Sequence, residues 1–226
     1  MKEVFAVYKP KNITSREMLN RIQGITGVKK WGHAGTLDPL AQGVLVVGYN
    51  KGTKNLFSEQ LNEKEYTALI LLGKKSETDD KEGRKERVSF KRPSLEETRT
   101  ALSSFIGEIY QTPPAFSAVK IKGKEAYKLA RKGTPPEMKK RKVFIKENDI
   151  ILYKYPFIKI RTVTGSGVYI RSLARDLGEK LSCGAYLYDL RRDRVGDFSV
   201  KDCVNIENEK LIPLKNVFFF KNFDNI

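Results

Sequence analysis

Residues 32–45, GHAGTLDPLAQGVL, constrain this chain more than any other stretch. Gly32, Gly35 and Gly43 permit backbone turns that other residues resist, and Pro39 stiffens the segment between them. The apolar run 44–47 follows at once and has the composition of a strand. Asp38 therefore sits in a turn just before a strand, where a charge adds little to stability but is well placed to be aimed. Taken alone, an aspartate before a proline is also a common turn starter, and aspartate caps helices, so a purely structural role stays open at this point.

The 226 residues suit one domain, or one with a small accessory piece, and a chain of that size buries about 70% of its unfolded surface. With 43 Lys and Arg against 27 Asp and Glu, the formal net charge of +16 favours a polyanionic partner, most simply nucleic acid. Lysine-rich composition also arises from heat adaptation or genome bias. The two cysteines, Cys183 and Cys203, form no C-x-x-C, and His33 is the single histidine, which argues against a disulfide scaffold or a zinc site. The N-terminal apolar run is too short for a signal peptide, and no later run is long enough to span a bilayer, so a cytoplasmic protein without membrane contact is expected.

Short β-rich runs at 4–8, 44–47, 66–72, 157–163 and 186–190 predict strands. Thr14 with Glu17, and Ser94 with Glu97, are capping-box pairs that predict helix starts, and Gly107 is a plausible stop for the second helix. Ile170, Leu173, Ala174, Leu177 and Leu181 recur at helical spacing and make one apolar stripe, which places Arg171 and Arg175, four apart, on another face. This alternation suits an α/β or α+β domain without fixing strand order.

Residues 111–143 differ in character. Cations are dense, large apolar side chains are few, and Pro135-Pro136 break the run before Lys139, Lys140, Arg141 and Lys142. Any one of these lysines is adequately explained as solvated surface. Together with Phe116, Tyr127 and the glycines they have the make-up of an arm laid along a phosphate backbone.

Gly35, Leu37, Asp38, Ala41, Gly43 and Leu45 form a G-x-L-D-x-x-A-x-G-x-L string that resembles the motif of the TruB family of pseudouridine synthases. Further blocks follow in that family's order. They are Lys9-Pro10; Lys64 and Tyr66 as K-x-Y; the insert positions Gln111, Pro113, Pro114, Ser117, Ala118, Lys120, Gly123, Tyr127, Ala130, Arg131 and Gly133; and residues 167–198, which contain G-x-Y-I-R-x-L-x-x-D-L-G and L-R-R-x-x-x-G-x-F. The resemblance runs from about residue 4 to 198, with a weaker echo at Leu211, Ile212 and Pro213. Departures include Ser76 in place of threonine, Ser182-Cys183 where the family has glycine and small residues, and a tail, FFFKNFDNI, where many members continue into a PUA domain.

The resemblance implies the pseudouridine synthase fold, a mixed and mostly antiparallel sheet flanked by helices. It further implies one catalytic domain over 1–226, a basic RNA-binding insert at 111–143 and a short extension at 199–226 without a PUA domain. It implies isomerisation of uridine-55 in the tRNA T-loop, in which uracil leaves ribose at N1 and rejoins through C5. No cofactor and no metal are needed. Asp38 is then the catalytic carboxylate, acting ionised on an extruded nucleotide, either by adding to C1′ or by abstracting a sugar proton. Arg171 is its counter-charge, and Tyr66 packs on the base and helps remove the C5 proton. His33, Tyr169, Leu190 and Lys9 support substrate binding, and Lys120, Lys122, Lys124, Tyr127, Arg131 and Arg141 contact RNA. The expected partner is the T-arm of tRNA, with the protein a monomer. Alternatives are a synthase with another RNA target, a non-catalytic RNA-binding or RNA-folding protein on the same scaffold, and a nucleoside hydrolase.

Overall fold

The computed structural model describes residues 3–121, 123–207 and 210–214; Lys122 and the FFFKNFDNI tail lie outside the described residues. In chain order the elements are β1 (Val4–Lys9), α1 (Ser15–Thr26), β2 (Trp31–His33), β3 (Gln42–Tyr49), α2 (Leu56–Leu61) and β4 (Lys64–Leu72). A hairpin, β5 (Lys74–Ser76) and β6 (Lys85–Arg87), leads to α3 (Leu95–Ser103) and β7 (Gly107–Gln111). A second hairpin, β8 (Lys120–Ile121) and β9 (Lys124–Glu125), leads to α4 (Ala126–Ala130), β10 (Arg141–Lys154) and β11 (Phe157–Thr164). The chain closes with α5 (Ile170–Lys180), β12 (Ala185–Val195), β13 (Phe198–Ser199), β14 (Val204–Glu207) and β15 (Lys210–Pro213).

Local signals explain much of this. Thr14 and Ser94 each cap a helix through a reciprocal capping box with Glu17 and Glu97. The stop expected at Gly107 is a correction: α3 ends at Ser103 and is capped by Ser104, whereas Gly107, at φ 98°, opens β7. A positive φ serves a turn into a strand as well as a helix end, so the glycine alone did not distinguish them. The strand Arg141–Lys154 is an element the sequence reading did not anticipate, because its many lysines and acids obscure the alternation.

The chain forms two compact units. One runs up to Thr67 and resumes at Leu190, and the other is Ala68–Asp189, so β4 and β12 each belong partly to both. In the first unit β1 pairs antiparallel with β3 and parallel with β14, β2 pairs antiparallel with β3, and β12 pairs parallel with β3 through Arg191 and Arg192. Val44, Leu45, Val46 and Val47 are all buried, because β3 is covered on both faces. Leu45 and Val47 meet Met18, Leu19 and Ile22 of α1, while Val44 and Val46 pack with Ala6, Tyr8 and Val195.

In the second unit β11 and β7 flank β10 in antiparallel register. The stripe Ile170, Leu173, Ala174, Leu177 and Leu181 is buried as the spacing predicts. Among the described residues no helix is long and apolar enough to cross a membrane.

Candidate active site

The connection from β2 to β3 carries the glycine-framed motif. Ala34 N donates to Val46 O (2.9 Å), and Ala41 N donates to Asp38 O (3.0 Å), closing a turn over Pro39 and Leu40. Leu37, Leu40 and Ala41 are buried and anchor that turn, while Asp38 between them is only half-buried. The first residue of α1 braces it from the side: Ser15 Oγ accepts from Leu37 N (2.9 Å) and donates to Leu37 O (3.1 Å). Asn12 N adds a bond to Pro39 O (2.7 Å).

Arg192 holds the same loop from below. Its side chain is 2% exposed, with Nε donating to Val44 O (2.8 Å), Nη2 to Gly35 O (3.2 Å) and Nη1 to Thr36 O (3.5 Å). Gly43 makes this approach possible. At φ 113° it lies so close to β12 that an added Cβ would be 2.2 Å from Arg192 O. Arg192 lies in the L-R-R block, where nothing in the sequence announces this role. Its bonding partners lie about 150 positions away, so no local pattern announces the contact.

Lys9 and Lys64 are buried in the same unit. Lys9 Nζ donates to Pro10 O and Ile13 O (both 2.8 Å), and Lys64 Nζ to Gln60 O (2.8 Å) and Asn62 O (2.7 Å). Burial brings both ammonium groups down to about 8; at Lys9 the charge of Asp38 works against that fall, and Arg192 reinforces it at both. His33 is held below its ordinary value by burial, then by Arg192 and Arg16, so it is a neutral imidazole at physiological pH. Tyr66 and Leu190 are buried on β4 and β12. The first unit holds Asp38, Lys9, His33, Tyr66 and Leu190; Lys9 lies within electrostatic reach of Asp38, and Arg192 within reach of Lys9, His33 and Lys64.

The remaining candidates belong to the second unit. Arg171, in the first turn of α5, is buried rather than solvated: Nη2 donates to Phe116 O (3.0 Å), and Nη1 lies 3.7 Å from Asp80 Oδ2 and 3.5 Å from Thr78 O. Arg175, on the same helix face, binds Asp79 (2.8 Å) and Thr112 O (2.8 Å). Tyr169 caps α5, and its N–H donates to Gln111 Oε1 (2.8 Å). These contacts tie the 78–80 turn and the start of the basic insert to one helix end.

The insert's two ends are strand residues, with Arg141 opposite Gln111 in the β7 and β10 pair. Between them Lys120 and Lys124 are exposed on a small hairpin, and Arg131 lies over the Tyr127 ring at 5.5 Å.

Residues 23–170 match the model for the N-terminal domain of TruB family pseudouridylate synthases, and residues 171–211 match that for the C-terminal domain of tRNA pseudouridylate synthase B. This chain belongs to the TruB family. Among its TruB relatives, tRNA pseudouridine synthase B of Clostridium novyi is 41% identical over 206 residues, covering 91% of this chain and 71% of that one. The Phocaeicola vulgatus protein of the same name is 44% identical over 216 residues, covering 91% of each. Among solved structures, the chain matched in the crystal structure of a Cbf5-Nop10-Gar1 complex is 28% identical with a TM-score of 0.70, covering 90% of this chain and 52% of that chain. The TruB chain therefore spans about half the length of that solved protein. A chain in an H/ACA RNP bound to a substrate RNA shares the fold, at a TM-score of 0.67 and coverage of 93% and 58%. The mixed, mostly antiparallel sheet with few helices is the pseudouridine synthase fold.

Proposed function

We propose that this chain is a tRNA pseudouridine synthase that isomerises uridine-55 of the T-loop, with Asp38 as the catalytic carboxylate and Tyr66 and Arg171 as further catalytic residues. The observation that carries this is the clamped loop. Asp38 is half-buried between the buried side chains Leu37 and Leu40, on a backbone held by Ser15 from one side and Arg192 from another. A rigid base under an accessible carboxylate is what cleavage of a glycosidic bond at an extruded nucleotide requires. The kinship to proteins named tRNA pseudouridine synthase B supports the substrate class.

Neutral His33, Lys9, Tyr169 and Leu190 serve nucleotide binding, and Lys120, Lys122, Lys124, Tyr127, Arg131 and Arg141 serve the T-arm backbone. The enzyme works as a cytoplasmic monomer without cofactor or metal. Incubating the protein with an unmodified tRNA transcript and mapping pseudouridine by mass spectrometry tests this. Conversion at uridine-55, lowered by more than about 10³-fold in Asp38→Asn, is expected. Equal yields from the two proteins, or modification at other positions alone, would refute it.

A further inference from the structure

Outside the basic insert, the second unit carries another cationic ribbon. Over residues 81–92, KEGRKERVSFKR, six cations accompany two acids. Four of those cations lie over aromatic rings: Lys81 over Tyr188 (6.0 Å), Lys85 over Tyr186 (5.7 Å), Arg87 over Phe90 (4.9 Å) and Arg92 over Tyr155 (5.6 Å). Tyr186 and Tyr188 point to one face of β12, two residues apart, and Phe157 buttresses Tyr188 edge-on at 5.3 Å. Phe90 is 82% exposed, so its ring and the Arg87 guanidinium over it are open to solvent.

Among the described residues none of these four cations has a carboxylate within ion-pair distance. The insert differs, since Lys128 pairs with Glu125 (3.0 Å) and Lys142 with Glu108 (2.8 Å). Exposed Lys and Arg side chains each carry about 2 kcal/mol of rotamer entropy, which a bound phosphate would have to remove. A ring beneath the cation restricts it in advance and leaves its charge uncompensated.

We propose that this ribbon is a second RNA contact, on which the rings hold Lys81, Lys85, Arg87 and Arg92 ready for successive phosphates of the tRNA backbone. Lys81 sits in the hairpin turn before β6, where Lys85 Nζ donates to Lys81 O, and the seven residue steps from Lys85 to Arg92 reach about 23 Å at most, enough for several nucleotides. The inference rests on the function proposed above and extends its RNA surface beyond the insert.

The test compares two quadruple variants of equal charge change. One is Lys81→Gln, Lys85→Gln, Arg87→Gln, Arg92→Gln; the control is Lys29→Gln, Lys30→Gln, Lys51→Gln, Lys54→Gln. Filter binding of the tRNA transcript across a salt series should give a slope of log affinity against log salt shallower by about 3 to 4 for the ribbon variant, and nearly unchanged for the control. Equal slopes for the two variants would overturn the proposal. A ring variant, Phe90→Leu with Tyr155→Leu, keeps every charge and should weaken binding several-fold at unchanged slope; wild-type affinity would likewise overturn it. Pseudouridine formation by the wild-type protein on the same transcript is measured in parallel. Its absence would count against the function, whereas its presence with equal slopes would count against the ribbon alone.

Discussion

Arg192→Met replaces a buried guanidinium by an apolar side chain of similar length. It leaves the carbonyls of Val44 and Gly35, now bonded at 2.8 and 3.2 Å, without their donor, while the 3.5 Å contact to Thr36 is too long to add much. Each buried carbonyl left unsatisfied costs about 1–3 kcal/mol, together about 2–6. Relief from burying a charge offsets part of this, so a net loss of about 2–3 kcal/mol is expected. That is a large share of the roughly 5–15 kcal/mol by which a domain is stable. Urea unfolding followed by circular dichroism measures it. His33, the single histidine, supplies a separate readout by NMR titration: Arg192 is one of the two cations holding its pKa down, so the variant should titrate at higher pH, yet still below the ordinary histidine value because burial remains the larger cause. A variant with the wild-type urea midpoint and an unmoved His33 titration would refute the claim that this guanidinium supports the loop.

Gly43→Ala combines a φ of 113° with a Cβ placed 2.2 Å from Arg192 O, so strain and overpacking together should cost about 3 kcal/mol or more, read as a lowered thermal midpoint. Lys9, held at about 8 against its ordinary 10.5, binds fewer protons folded than unfolded between those values; stability from this group therefore rises with pH across that window, by on the order of 3 kcal/mol. Lys64 adds a rise over the same window, so Lys9→Met should reduce the slope without abolishing it, as measured by urea midpoints from pH 7 to 10.5. For about 6 to 10 phosphate contacts, affinity for the tRNA transcript should fall by about 10³ to 10⁵ between 50 and 200 mM salt in filter binding.

Features confined to a few neighbouring residues were legible in the sequence. The capping boxes at Thr14 and Ser94, the buried stripe of α5 and the turn at Asp38-Pro39 each depend on groups within about three helical turns or one β-turn. The motif string also led to the correct family, because its spacing specifies a particular loop rather than a mere composition. Gly107 was misread since a positive φ is demanded both by helix ends and by turns into strands. The strand Arg141–Lys154 is not legible in the sequence because its many lysines and acids hide the period of two.

By itself, then, the sequence determined where α1 and α3 begin, five of the strand runs, the strongly positive charge and the loop that bears Asp38. Only the tertiary structure decided what lies beneath that loop. The parallel register of β12 on β3 brings Arg192 to the carbonyls of Gly35 and Val44, and the fold of α1 brings Ser15 to Leu37. Such bonds join groups far apart along the chain, and whether they form depends on strand register and close approach at Gly43, neither of which any local stretch of residues specifies.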